Sequence, residues 1–319
     1  MFDYVSRAFF HTLAGRQSLK HLASRYGLRR PDSFARRFIA GETVDEAIAA
    51  GRAIQAAGLT LTLDLLGESV NSMAEADAAT RTYLGVIERI AAAGVERNLS
   101  LKLTQLGLTV DRATCVDNLR RILDLAGTHG FFVRVDMESS AFTQVTLEIF
   151  ETMWQQGYRN VGVVLQSYLR RSMADAERMN ALGARVRLVK GAYNEPKSVA
   201  FQSKADVDAA FVEIMQALLS RGTYPAIATH DPAMLAAARS FAAARGIAPD
   251  RYEYQMLYGV RRDLQGRLKT DGYRVRVYVP FGREWFPYFM RRLGERPANV
   301  GFVIRSLLQE RSGSMTGST

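Results

Sequence analysis

Ionisable and amide side chains recur at intervals along this chain: Asp64 and Glu68, Lys102, Asp136 and Glu138, Gln166, Arg187 and Lys190, Thr229 and His230, Gln255, and Tyr278. Carboxylates next to lysine or arginine suit the capture of a small zwitterion or the movement of a proton. A single such residue reads as a solvated loop charge, whereas a set spread along the whole chain reads as an active site. Lys102 and Lys190 also leave open Schiff-base chemistry of the aldolase kind. His230 fits a general base, a structural hydrogen bond or a cofactor contact. Farther on, WFPYFMRRL puts Trp285, Tyr288, Arg291 and Arg292 at helical spacing on one side, with Phe286, Phe289, Met290 and Leu293 on the other. Adjacent guanidinium forks suit a carboxylate or phosphate, and two arginines near a helix end also complement its dipole.

The elements that must carry these residues alternate. Short β-rich runs at 59–65, 98–104, 131–136, 161–166, 185–190, 224–229, 251–257 and 273–279 are each followed by a helix-length segment, such as 75–93, 112–127 and 206–221. Eight strands strictly alternating with eight helices imply parallel pairing with right-handed crossovers, and the count favours a closed (β/α)8 barrel over an open sheet. In such a barrel the carboxyl ends of the strands carry the chemistry, and the polar residues above sit at those ends. The spacing predicts helices through residues 1–58, with stripes at Phe2, Val5, Phe9 and Leu13 and at Leu19, Leu22 and Tyr26. Thr43-Val-Asp-Glu46 reads as a capping box. Asp231-Pro232 starts a helix directly after the sixth strand, either as a simple cap or as a seat for an anionic cofactor group. The expected organisation is an N-terminal helical segment at 1–58, the barrel at 59–308 and a disordered tail at 309–319.

Composition removes other classes. With 319 residues and 48% hydrophobic content, the chain can bury a sizeable core. One cysteine excludes a disulfide framework, and four scattered histidines make a Cys/His metal site an expected absence. No apolar run is long enough to span a bilayer, no signal peptide is visible, and G-x-G-x-x-G and P-loop motifs are missing. The net charge of +10 is uneven: residues 1–40 hold eight Lys/Arg against two Asp, and residues 261–319 hold twelve against five Asp/Glu. Basic ends suit nucleic acid, an anionic membrane or plain solvation. A nucleic-acid adaptor, however, leaves the strand-end residues unexplained.

The segments RLVKGAY (187–193), YEYQMLYGVR (252–261), VRVYVPFG (275–282) and YFMRRLGERPAN (288–299) closely resemble the proline dehydrogenase family. LDLLGE (63–68), LSLKLTQLG (99–107) and RVDME (134–138) match its earlier segments in order, and the resemblance covers roughly residues 34–308. It implies the monofunctional bacterial form: a distorted (β/α)8 barrel, its eighth helix over the mouth, holding non-covalent FAD and oxidising L-proline to Δ1-pyrroline-5-carboxylate. Electrons would pass to a membrane quinone, with no nucleic acid involved. The expected location is cytoplasmic, with peripheral contact at the inner face of the membrane. By motif, Lys102, Arg291 and Arg292 would bind the substrate carboxylate, and Asp136 would organise that cationic cluster. Arg187 would lie beside the flavin N5. Met137, Gln166, Lys190, Gly191, Ala192, Thr229 and His230 would contact FAD. Tyr278, Tyr288 and Leu257 would enclose the proline ring, and Glu68 would pair with Arg291 as a gate. The Arg291-Arg292 pair argues against a related FAD barrel of the methylenetetrahydrofolate reductase type.

Overall fold

The computed structural model describes residues 34–67 and 69–294. Eight strands form a closed parallel barrel in sequence order: β1 (Thr60–Leu65), β2 (Asn98–Leu101), β3 (Phe132–Val135), β4 (Val161–Gln166), β5 (Val186–Val189), β6 (Ala226–Ala228), β7 (Glu253–Leu257) and β8 (Val275–Phe281). Closure is made by β1 against β8, with Leu61 opposite Val277 and Leu63 opposite Val279. The expected (β/α)8 barrel is the observed fold. Helix α1 (Val44–Ala56) precedes the barrel. After the successive strands come α2 (Met73–Ala93), α3 (Arg112–Thr128), α4 (Ser140–Gln155), α5 (Ser172–Leu182), α6 (Lys204–Arg221), α7 (Pro232–Ala244), α8 (Arg262–Thr270) and α9 (Trp285–Gly294). The N-terminal stripes, Glu68, and everything from residue 295, including the proposed tail, lie outside the described residues.

Strand alternation sorts the residues into two sets on opposite faces. Leu61 and Leu63, Leu99 and Leu101, Val133 and Val135, Val186 and Leu188, Tyr254 and Met256, and Val277 and Val279 join one apolar cluster with helix residues such as Ile87, Ile122, Phe150 and Phe211. The other set, Thr62 and Asp64, Asn98 and Ser100, Arg134, Arg187, Glu253 and Gln255, and Arg276, is buried and polar. These residues hydrogen-bond to one another across the barrel: Thr62 to Asn98, Arg187 to Ser100 and Gln255, Arg276 to Glu253. The interior is therefore an ionic and amide lattice, where barrels of this class are more often filled by branched aliphatics.

Local signals end and start the helices as the sequence suggests. Thr43 and Glu46 form the full capping box of α1, whose Ala47, Ile48, Gly51 and Ile54 are buried. Asp231 caps α7 through the Ala233 N–H, with Pro232 in its first turn. That backbone donor is thus taken by the protein's own carboxylate. The single cysteine, Cys115 in α3, is fully buried against the Leu103 carbonyl, and burial pushes its thiol up to about 12.

Most strands are trimmed by one or two residues relative to expectation, and three of the differences have a visible cause. β2 ends at Leu101, and Leu103–Leu106 turns into a 3-10 helix. The Thr104 backbone N–H and hydroxyl both bond the Glu138 carboxylate, which draws the chain across the mouth instead of along the strand. β8 begins and ends two residues later than the β-rich run suggests, because Tyr273 lies before the strand, edge-on to the Tyr254 ring. β6 is cut to three residues, preceded by Tyr224 at φ 47°, a left-handed backbone that stops the ladder.

Candidate active site

β1, β2, β3, β5 and β8 deliver their last inward residues to one end of the barrel. There Arg187 donates from Nη1 to Asp136 Oδ1 at 2.7 Å, and both Nη atoms reach Ser100 Oγ at 3.3 Å. The other Asp136 oxygen accepts from the Tyr278 hydroxyl at 2.7 Å. The Arg187 guanidinium also stands 5.2 Å from the centroid of the Tyr278 ring. Arg187, Asp136 and Tyr278 therefore lock one another in place. Burial, then the neighbouring Asp136 charge, raise the Tyr278 phenol far above its usual range, so it stays a donor.

A second pair sits beside the first. Lys102 Nζ lies 3.4 Å from Asp64 Oδ1, and the Asp64 side chain is fully buried. Its other oxygen, Oδ2, has no hydrogen-bond partner. Burial raises the Asp64 carboxyl against the attraction of Lys102, and the nearby Asp136 charge adds to the rise. Burial opposes the Lys102 charge, but Asp64 and Asp136 outweigh it and hold the ammonium above the ordinary lysine range. An ammonium held this way is a binding charge and a poor nucleophile, which weakens the aldolase alternative.

Helix α9 covers this end. Trp285, Phe286, Tyr288, Phe289 and Met290 are all buried, packing with Ala35, Phe38, Ile39 and Leu66, and Tyr278 lies against the same cluster. The expected two-sided division of this helix needs correction at Trp285. Its indole packs edge-on to Phe286 and Phe289 and donates to Glu42, so it belongs with the scaffold-facing residues. The Arg292 guanidinium stands 5.1 Å from the Tyr288 ring centroid, one helical turn away. Arg291 and Arg292 are partly buried. Tyr193, after β5, feels both Lys102 and Arg291, though burial dominates and raises its phenol. It links the lysine side of the mouth to the arginine helix. It lies inside the RLVKGAY segment but carries no role in the sequence reading.

The remaining expected residues line the β4–β7 side. Gln166 is buried and donates to the Glu138 carbonyl. Glu138 is itself buried, which raises its carboxyl. Met137 is buried, Leu257 half-buried and Ala192 exposed. Lys190 is held by Asp208 and by Asp231 at 2.7 Å, and Lys190 in turn holds the Asp231 carboxyl down at about 2. Gly191 has φ +118°, and a Cβ there would meet the Tyr168 ring at 2.4 Å. Only glycine can bring bare backbone to the mouth at this point. The Thr229 hydroxyl accepts from Asp231 N. His230 Nε2 accepts the Leu257 N–H at 2.9 Å, which puts the proton of a neutral ring on Nδ1. That bond gives His230 a positioning duty on Leu257. No group of His, Cys, Asp and Glu among the described residues could hold a metal ion. A cavity of about 600 Å³ opens at the opposite end, lined by Gln55, Thr60, Glu96 and Arg97 among others, away from all of these residues.

The family model for proline dehydrogenase matches residues 47–305. The chain belongs to the proline dehydrogenase family. It is 40% identical to a proline dehydrogenase of Deinococcus radiodurans, over 97% of this chain and 100% of that protein. Identity to proline dehydrogenase 2 of Bacillus subtilis is 39%, over 96% of this chain and 100% of that one. Among solved structures, proline utilization A from Bdellovibrio bacteriovorus, inactivated by N-propargylglycine, aligns with a TM-score of 0.77 at 28% identity. That alignment covers 81% of this chain, which spans only 32% of the larger protein. As a family member, the chain is an oxidoreductase of proline catabolism.

Proposed function

We propose that this chain oxidises L-proline to Δ1-pyrroline-5-carboxylate, with non-covalent FAD at the barrel mouth and a membrane quinone taking the electrons. The observation that carries the reading is the locked Arg187–Asp136–Tyr278 group beside a helix bearing Arg291 and Arg292. Asp64 faces Lys102 and Asp136 faces Arg187, and α9 brings two further guanidiniums to the end of the barrel where a carboxylate must shed water. Lys102, Arg291 and Arg292 bind the substrate carboxylate in this reading. Tyr278, Tyr288 and Leu257 enclose the ring and exclude water, and Glu68 gates the site through Arg291.

The donor set fits a flavin nucleotide. Gln166, the Thr229 hydroxyl and Lys190 offer donors, Arg187 brings its charge, and Gly191 presents bare backbone because the Tyr168 ring fills the space a Cβ would need. Met137, Ala192 and His230 complete the assigned contacts. When bound, the flavin supplies the acceptor for a hydride leaving C5 of proline. The protein orients C5 through the carboxylate clamp, over roughly 3–3.5 Å. Arg187 offers fixed positive charge where negative charge accumulates.

Purified protein is expected to be yellow, with flavin absorbance bleached anaerobically by L-proline. A colourless protein that takes up no FAD overturns the reading. Tyr288 crowds the ring carbon that bears the hydroxyl of 4-hydroxyproline, so proline is strongly preferred. Comparable catalytic efficiency on both substrates would contradict this role.

A further inference from the structure

The Arg187 guanidinium has a third contact, below the mouth. Its Nε donates to Gln255 Oε1 at 2.5 Å. The other end of that carboxamide, Nε2, donates to Glu253 Oε1. The same Glu253 oxygen accepts from Arg276 Nε at 2.8 Å, while Oε2 accepts from Tyr224. Arg276 is fixed in turn by Glu96 Oε1 at 2.6 Å and the Leu61 carbonyl. Arg187, Gln255, Glu253 and Arg276 are each no more than 7% exposed, so water does not compete for these groups.

An amide has two chemically different ends, and here both ends are decided. Arg276 outweighs the burial of Glu253 and holds its carboxyl below the usual range, so Glu253 only accepts. Turning the amide over would face N–H against the Arg187 N–H and oxygen against carboxylate. Both contacts are repulsive in a dry interior. With Nε committed downward, the planar guanidinium can present Nη1 and Nη2 only toward Asp136 and Ser100.

We propose that Gln255 is a positioning residue, its polarity set by the Glu253–Arg276 pair, that fixes the rotation of the Arg187 guanidinium about its long axis. This rests on the functional reading above, in which Arg187 works beside the reacting centre. An ion pair at the amino-terminal end of the barrel thereby controls the angle of a charge at the carboxyl end.

The test uses two holoenzymes, Gln255→Leu and Glu253→Gln. Glu253→Gln keeps an acceptor oxygen for both Arg276 and the Gln255 amide, with its new N–H turned to the Tyr224 hydroxyl, so the polarity of Gln255 survives. Gln255→Leu is expected to lower kcat for L-proline about tenfold, with KM changed less than twofold, the scale of one charge-assisted hydrogen bond. Glu253→Gln should stay within about threefold of the parent. Independently of turnover, a slowly exchanging arginine Nε–H resonance in ¹⁵N-arginine protein should be lost in Gln255→Leu and kept in Glu253→Gln. Unchanged kcat and Nε–H protection in Gln255→Leu would overturn the proposal, as would a loss in Glu253→Gln as large as that in Gln255→Leu. A parent protein that neither binds FAD nor reacts with proline would refute the functional reading instead. The exchange measurement still decides the positioning role in that case.

Discussion

Four cations and three carboxylates converge on the mouth, and how they pair decides which substitution harms what. Asp136 holds both Arg187 and Tyr278, so Asp136→Ala frees two groups at once and should cost kcat more than KM. Arg291→Met and Arg292→Met act on the carboxylate clamp. Each is expected to raise KM for proline on the order of 10–100-fold, the range of a charge-assisted hydrogen bond, with flavin content unchanged. Loss of flavin in either variant, with KM for proline unmoved, would count against the clamp. At this scale the sequence was informative where chemistry and position coincide: Asp136, Arg187 and Tyr278 stand at strand ends. It was silent on partnerships. Nothing in the spacing joins Gln255 to Arg187, 68 residues away, or makes Asp64 the counter-charge of Lys102. Such pairings depend on barrel register, which one sequence does not print.

Among the elements, α7 carries the clearest titration. Asp231 caps the helix and binds Lys190, and these contacts depress its carboxyl from 3.8 to about 2. A depressed carboxyl stabilises the fold above its unfolded pKa and loses that effect as pH falls through the folded value. Asp231→Ala should cost about 1 kcal/mol of unfolding free energy near neutrality. The gap from the parent should shrink between about pH 4 and pH 2 in urea titrations, whereas a pH-independent gap would mean a different origin. Element boundaries were legible where a cap marks them, as at Thr43 and Asp231. They failed at β2, where Glu138 recruits Thr104 from 34 residues away and bends a strand-like sequence into a 3-10 turn.

For the whole molecule, the inverted filling of the barrel is the governing fact. The alternation in VRVYV, EYQML and FVRV already encodes it, since every second residue is apolar and the rest must go inward. The interior leaves little room. A Cβ at Gly162 would lie 2.5 Å from the Arg185 carbonyl and 2.7 Å from Arg134 Nη1. Gly162→Ala should therefore destabilise the protein by about 1–3 kcal/mol in denaturant unfolding. The net charge of +10 bears on association with anionic surfaces. Co-sedimentation with anionic vesicles is expected at low salt, weakening as ionic strength rises, with no binding to neutral vesicles. No described helix is long and apolar enough to cross a membrane, so such contact would be peripheral.

Cys115 gives this lattice a clock. One thiol per chain, fully buried and held protonated, is closed to alkylation while α3 stays packed on the barrel. Each iodoacetamide adduct on intact protein thus records one opening event of that helix. The labelling rate, read by mass as a single added group, reports how often the barrel wall parts under native conditions, with no probe to engineer.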